Sequence, residues 1–162
     1  MLLALTAGCG YTLVGGSGGR ILGRVAVHTP ENESGHAGTE LVVADALRRE
    51  VLRRAGAELV EDAANADWVV SGRVLPLQVS AASLSPVVLT LEYQLSLSLD
   101  LRARARDGRE VKGDPRELRE SERFLASADA EALRKNRQEA LHRVSRLLAA
   151  RFLDRLDEEH GG

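Results

Sequence analysis

The chain has a single cysteine, Cys9, among 162 residues. An internal disulfide and a multi-cysteine metal site are therefore both excluded. Aromatic residues are almost as scarce: Tyr11, Trp68, Tyr93, Phe124 and Phe152 are the whole set. A hydrophobic core must then be assembled from Leu, Val and Ala. No surplus of positive charge exists, since the formal net charge is -2, which argues against a general nucleic-acid binder. No apolar run approaches the ~20 residues of a membrane-spanning helix. What is present is an ordinary globular composition, 44% hydrophobic and 28% charged, at a length that suits one domain.

The first residues, Met-Leu-Leu-Ala-Leu-Thr-Ala-Gly-Cys-Gly, give Cys9 a specific setting. Small residues directly before a cysteine let a lipoprotein signal peptidase reach the backbone. Cys9 is therefore expected to carry diacylglycerol on its thiol and a further acyl chain on its new amino terminus. Several chains anchor a protein firmly where one does so marginally. Only eight residues precede Cys9 and none is Lys or Arg, so the true start is expected upstream, with residues 1–8 a truncated signal remnant. Residues 9–20, with Gly-Gly-Ser-Gly-Gly at 15–19, read as the lipidated cysteine and a flexible tether. Residues 21–156 form one α/β domain, and 157–162 a polar, frayed tail.

Within that domain, Ile21 to Thr29 reads as a strand and Pro30 to Gly35 as a loop. Val43, Ala44, Leu47 and Val51 recur at helical spacing, predicting a helix over 39–55 with Thr39 as its cap and Gly56 beyond its end. Short strands follow at 57–61 and 66–74, the latter limited by Pro76. Residues 80–90 read as a partly apolar connection, able to reach a partner or lipid. The clearest pattern is next: Leu91, Tyr93, Leu95, Leu97, Leu99, Leu101, Ala103 and Ala105 alternate with polar residues from Glu92 to Arg106. Alternation of that length means one long, half-buried antiparallel strand. Asp107-Gly108 is a hairpin turn, and 110–112 and 117–126 the return strand. A final helix opens at Ser127 or Asp129 and runs to about Leu156. The fold class is α+β: a two-layer sandwich, with two helices on one face of a mixed, largely antiparallel sheet of four to five strands.

No catalytic set emerges. There is no Gly-x-Ser-x-Gly elbow, and His28 and His36 match no metal-binding spacing. No cofactor, metal or nucleic-acid partner is expected, and the protein is not expected to be an enzyme. Arg102, Arg104, Arg106, Arg109 and Lys112 surround the hairpin tip. They read either as a solvated strand face or as a phosphate-binding patch suited to lipopolysaccharide headgroups.

Four stretches resemble the LptE family of lipopolysaccharide-assembly lipoproteins. They are Thr6-Ala7-Gly8-Cys9-Gly10-Tyr11-Thr12-Leu13; Arg24 to Val27 leading to Glu31-Asn32-Glu33-Ser34; Ala66-Asp67-Trp68-Val69-Val70-Ser71-Gly72-Arg73-Val74; and Leu91-Glu92-Tyr93-Gln94. The resemblance implies two helices on a mixed sheet and an outer-membrane lipoprotein facing the periplasm. It implies as partners lipopolysaccharide and an LptD-like outer-membrane β-barrel, whose lumen the lipoprotein plugs and whose assembly it assists. Cys9 carries over as the lipid site; the family's basic positions do not map cleanly, because 80–90 holds no Lys or Arg. The alternative is another envelope lipoprotein of similar fold, a secretion-channel subunit or a cell-wall-synthase activator.

Overall fold

A computed structural model of the protein describes residues 22–84 and 90–161. Cys9 and the glycine-rich tether lie outside the described residues, as does 85–89 of the 80–90 connection. In chain order the elements are β1 (Gly23–Val27), β2 (Glu31–Asn32), α1 (Thr39–Arg53), β3 (Ala57–Val60), a 3₁₀ turn (Ala63–Asn65), β4 (Trp68–Val74), β5 (Gln78–Leu84), β6 (Thr90–Ala105), β7 (Glu110–Lys112), β8 (Arg119–Leu125) and α2 (Ala130–Gly161).

The spine is β6. Its sixteen residues extend about 50 Å at ~3.3 Å each. One side of it pairs with β4 over its second half and with β5 over its first. The other side pairs with β7 and then β8, all antiparallel. Beyond β4 the pairing turns parallel, to β1 and from β1 to β3, with α1 as the crossover between β1 and β3. The sheet thus has eight strands rather than four to five. Two breaks and a short bridge make the difference. At the first, Leu75 N–H still donates to Ser98 O at 3.0 Å, Pro76 has no N–H, and Leu77 N–H turns away to Ser34 O at 3.2 Å. At the second, the N–H groups of Glu117 and Leu118 fold back onto Asp114 O. Gly113 lets the Leu118 side chain pack close there, since a Cβ would lie 2.2 Å from its Cδ1 and push it aside. The bridge is β2, read from sequence as loop, which pairs with the end of β4.

Both helices cover one face. Leu95, Leu97, Leu99, Leu101, Ala103 and Ala105 of β6 are buried there with Trp68, Val70 and Val74 of β4. Val43, Leu47 and Val51 of α1 and Val144, Leu148, Phe152 and Leu156 of α2 complete the core. Each buried Leu or Val removes apolar surface worth roughly 1.5–3 kcal/mol from water. Asp129 caps α2 as expected, its carboxylate accepting Ala132 N–H at 2.8 Å. Thr39 is not the cap of α1. That position is Gly38, at φ 84°, and the Thr39 hydroxyl donates to His36 O at 2.9 Å. Nor does α2 stop at Leu156. It continues to Gly161, and Arg54, near the end of α1, pairs with Asp154 and Asp157 on its last turns. No helix among the described residues is long and apolar enough to cross a membrane.

Candidate functional site

The face of the sheet away from the helices is largely polar and, among the described residues, uncovered, and three local devices shape it. The first is Asp67. Its carboxylate accepts Arg24 N–H at 2.9 Å and the Arg24 guanidinium, Asp67 N–H donates to Arg24 O, and Arg106 N–H donates to Asp67 O. One residue thereby joins the starts of β1 and β4 to the end of β6. The Arg24 backbone and side-chain hydrogen bonds hold its carboxyl below the ordinary 3.8, with the Arg24 and Arg106 charges adding to them. The second device is Asn32. Its Oδ1 accepts from Ser34 N–H at 2.9 Å and Ser34 Oγ at 2.6 Å, and its Nδ2 donates to His36 O, which folds the loop into α1. The third is Gly72, where a Cβ would stand 2.1 Å from Asp100 O on the facing strand. These are the residue types of the Asn-Glu-Ser and Ala-Asp…Gly stretches, and each has a mechanical reason to be there.

Register sets the charge pattern on this face. Arg73 lies opposite Asp100, Ser71 opposite Arg102, Val69 opposite Arg104, and on the other side Arg102 faces Lys112 and Arg104 faces Glu110. Arg73 is held by Asp100 at 2.5 Å and Glu33 at 3.1 Å. The half formed by β5, β8 and the start of β6 carries Arg123, paired with Glu92 at 3.8 Å, and Arg119, which donates to Gln78 Oε1 at 3.4 Å, with Ser96 and Ser121 hydrogen-bonded at 2.7 Å between them. The basic half carries a concavity of about 490 Å³, floored by Val69 and Ser71 and walled by Ala63, Ala64 and the arginines.

Of the five basic residues expected around the hairpin, the fold brings Arg102, Arg104 and Lys112 together on the open face. They share one carboxylate, Glu110, which lies 3.2 Å from Lys112 and 3.6 Å from Arg104. The Lys112 hydrogen bond, and then the Arg104 and Arg102 charges, keep Glu110 below its ordinary pKa. Arg102 otherwise meets Ser71 Oγ at 3.4 Å. Arg106 borders the concavity but is engaged, donating to Ala64 O and Ala66 O. Arg109 belongs to the opposite face: its guanidinium is over the Trp68 ring at 5.5 Å and pairs with Asp107. In the sequence only Asp107 and Glu110 oppose the five basic residues at this tip, and the alternation of Glu110 with Val111 places Glu110 on the arginine face. The chemistry available is ionic and hydrogen-bonding, suited to a phosphate or a polar protein surface. Among the described residues no group of three His, Cys, Asp or Glu side chains could hold a metal ion.

Comparison with known proteins gives the fold company. Rare lipoprotein B from Shewanella oneidensis is similar at 15% identity and TM-score 0.53, over 85% of this chain and 96% of that one. Lipoprotein B from Nitrosomonas europaea is similar at 13% identity and TM-score 0.55, over 87% of this chain and 86% of that one. These likenesses concern the fold. No curated protein sequence matches. The family model described as LptE, lipopolysaccharide-assembly, matches residues 22–156, almost the whole described domain. The chain belongs to the LptE lipopolysaccharide-assembly family.

Proposed function

We propose that this protein is an outer-membrane lipoprotein, anchored through Cys9 and facing the periplasm, that assists assembly of an LptD-like β-barrel, plugs its lumen and aids delivery of lipopolysaccharide to the outer leaflet. The observation that carries this reading is the open face of the sheet. A two-layer domain whose described residues leave one sheet face largely polar and free of helices has a surface for a polar enclosure. On that surface Arg102, Arg104 and Lys112 are the groups for lipopolysaccharide phosphates, since one shared carboxylate does not neutralise three cations. Arg106 has a supporting place and Arg109 none, because its guanidinium is on the other face.

The test is a detergent pull-down of the acylated protein from envelopes. Recovery of an LptD-family barrel is expected. Recovery instead of a secretion channel or a cell-wall synthase would replace this reading with the other envelope roles.

A further inference from the structure

Among the described residues the free edges of the sheet include β8, β3 and β5, besides the two- and three-residue strands β2 and β7, and the first two are closed. Along β8, Arg151 donates to the carbonyls of Glu117 at 2.9 Å and Arg119 at 3.2 Å, and Asn136 donates to that of Leu125 at 3.0 Å. Charged side chains from Arg119 to Arg123 guard the same strand. The β3 flank is four residues long and bears Glu58, with Glu61 next to it. Shortness, charge and capped carbonyls are the means by which edges are kept from pairing.

The β5 flank is different. Among the described residues β5 pairs with β6 alone, and no charged residue occurs from 75 to 89. Its register shifts twice, between Ala81 and Ser83 and between Ser83 and Leu84, and both shifts lie beyond Gln78–Ala81, which stays regular and exposed, Val79 at 40%. Beside this edge the helical layer leaves a slot of about 320 Å³, lined by Val79, Tyr93, Phe124 and Leu133 together with Arg134 and Arg137. Tyr93 and Phe124 stack at 5.5 Å. Arg134 is paired with Glu131, whereas Arg137 has no carboxylate partner among the described residues. Partial burial and then the Arg137 charge lower the pKa of neighbouring His36.

The geometry points to β5 as a docking edge for an extended segment of a partner protein. The segment pairs with Gln78–Ala81, sets an apolar side chain in the slot, and places a carboxylate two residues along it against Arg137. Main-chain pairing supplies affinity, and the slot with its cation supplies selectivity. A second copy of this chain fits poorly, because β5 brings no carboxylate and would set two arginine-bearing slots side by side. The inference is independent of the anchor and of the barrel.

The probe is an acetylated, amidated peptide Ser-Val-Ser-Val-Thr-Glu-Thr-Ser, titrated to about 1 mM, the weak end of peptide recognition, into the ¹⁵N-labelled full chain. Amide shifts are expected at Gln78–Ala81 and around Leu133 to Arg137. Val79→Lys should abolish them while leaving the rest of the spectrum in place. Arg137→Glu should weaken this peptide roughly two- to fivefold, as an exposed ion pair allows, and favour the peptide carrying Lys for Glu by a similar factor. Shifts confined to β8 or the open face, no shifts at all, or an Arg137→Glu chain indifferent to the peptide's charge would each overturn the proposal. So would a dimer in sedimentation that Val79→Lys dissolves, which would make the occupant a second copy.

Discussion

Asp67 does more for the fold than its half-buried position suggests. It binds Arg24 through backbone and side chain and lends its own carbonyl to Arg106 N–H, so three strands meet at one residue. Its folded carboxyl titrates below 3.8, so the unfolded chain takes up the proton first as pH falls. The contribution is therefore complete above the ordinary carboxylate range and disappears as pH drops through the folded value. Asp67→Asn should lower the urea midpoint at pH 7, and the two chains should converge in acid; an equal gap at all pH would reject the linkage. Gly72 acts by having no side chain. Gly72→Ala forces a Cβ into the facing backbone and should destabilise by about 1–3 kcal/mol, the usual cost of overpacking, read from denaturant unfolding.

At the scale of elements, β6 carries the core. Leu97 and Leu99 are fully buried between β4, β8 and the helices. Leu97→Ala should cost about 2–5 kcal/mol by denaturant unfolding, since the surrounding strands are tied on both sides and collapse little. The alternation that betrayed β6 is legible because one face meets the helices and the other meets water. β5 was not legible for the same reason in reverse. Exposed over Gln78–Ala81 and flanked by Pro76, it shows no period of two. The end of α2 was misread because a polar turn looks frayed on its own; only the fold brings Arg54 to Asp154 and Asp157.

On the scale of the whole molecule, function depends on which surface each charge reaches. Charge reversal of Arg102, Arg104 and Lys112 to Glu should weaken lipopolysaccharide binding at least about tenfold, with little change in unfolding midpoint, because all three are exposed. Reversal of Arg109 alone should leave binding unchanged. Affinity unaltered by the triple change, measured by lipopolysaccharide titration, would remove the open face from headgroup recognition. Cys9→Ser should release a folded protein from the membrane fraction, and persistent acylation in that variant would refute the anchor.

The amino-acid order by itself determined the elements whose signal is local. These are the alternating spine, the helix with its Asp129 cap, the Asp107-Gly108 turn, and the family likeness that the match over 22–156 bears out. Each depends on neighbours within a few residues, so periodicity and turn chemistry suffice. Tertiary structure alone decided the eight-stranded pairing and the separation of Arg109 from Arg102, Arg104 and Lys112. It also left β5, among the described residues, as an edge without charge or capped carbonyls. Those outcomes depend on register and on which helix covers which strand, and contacts between residues tens of positions apart set both.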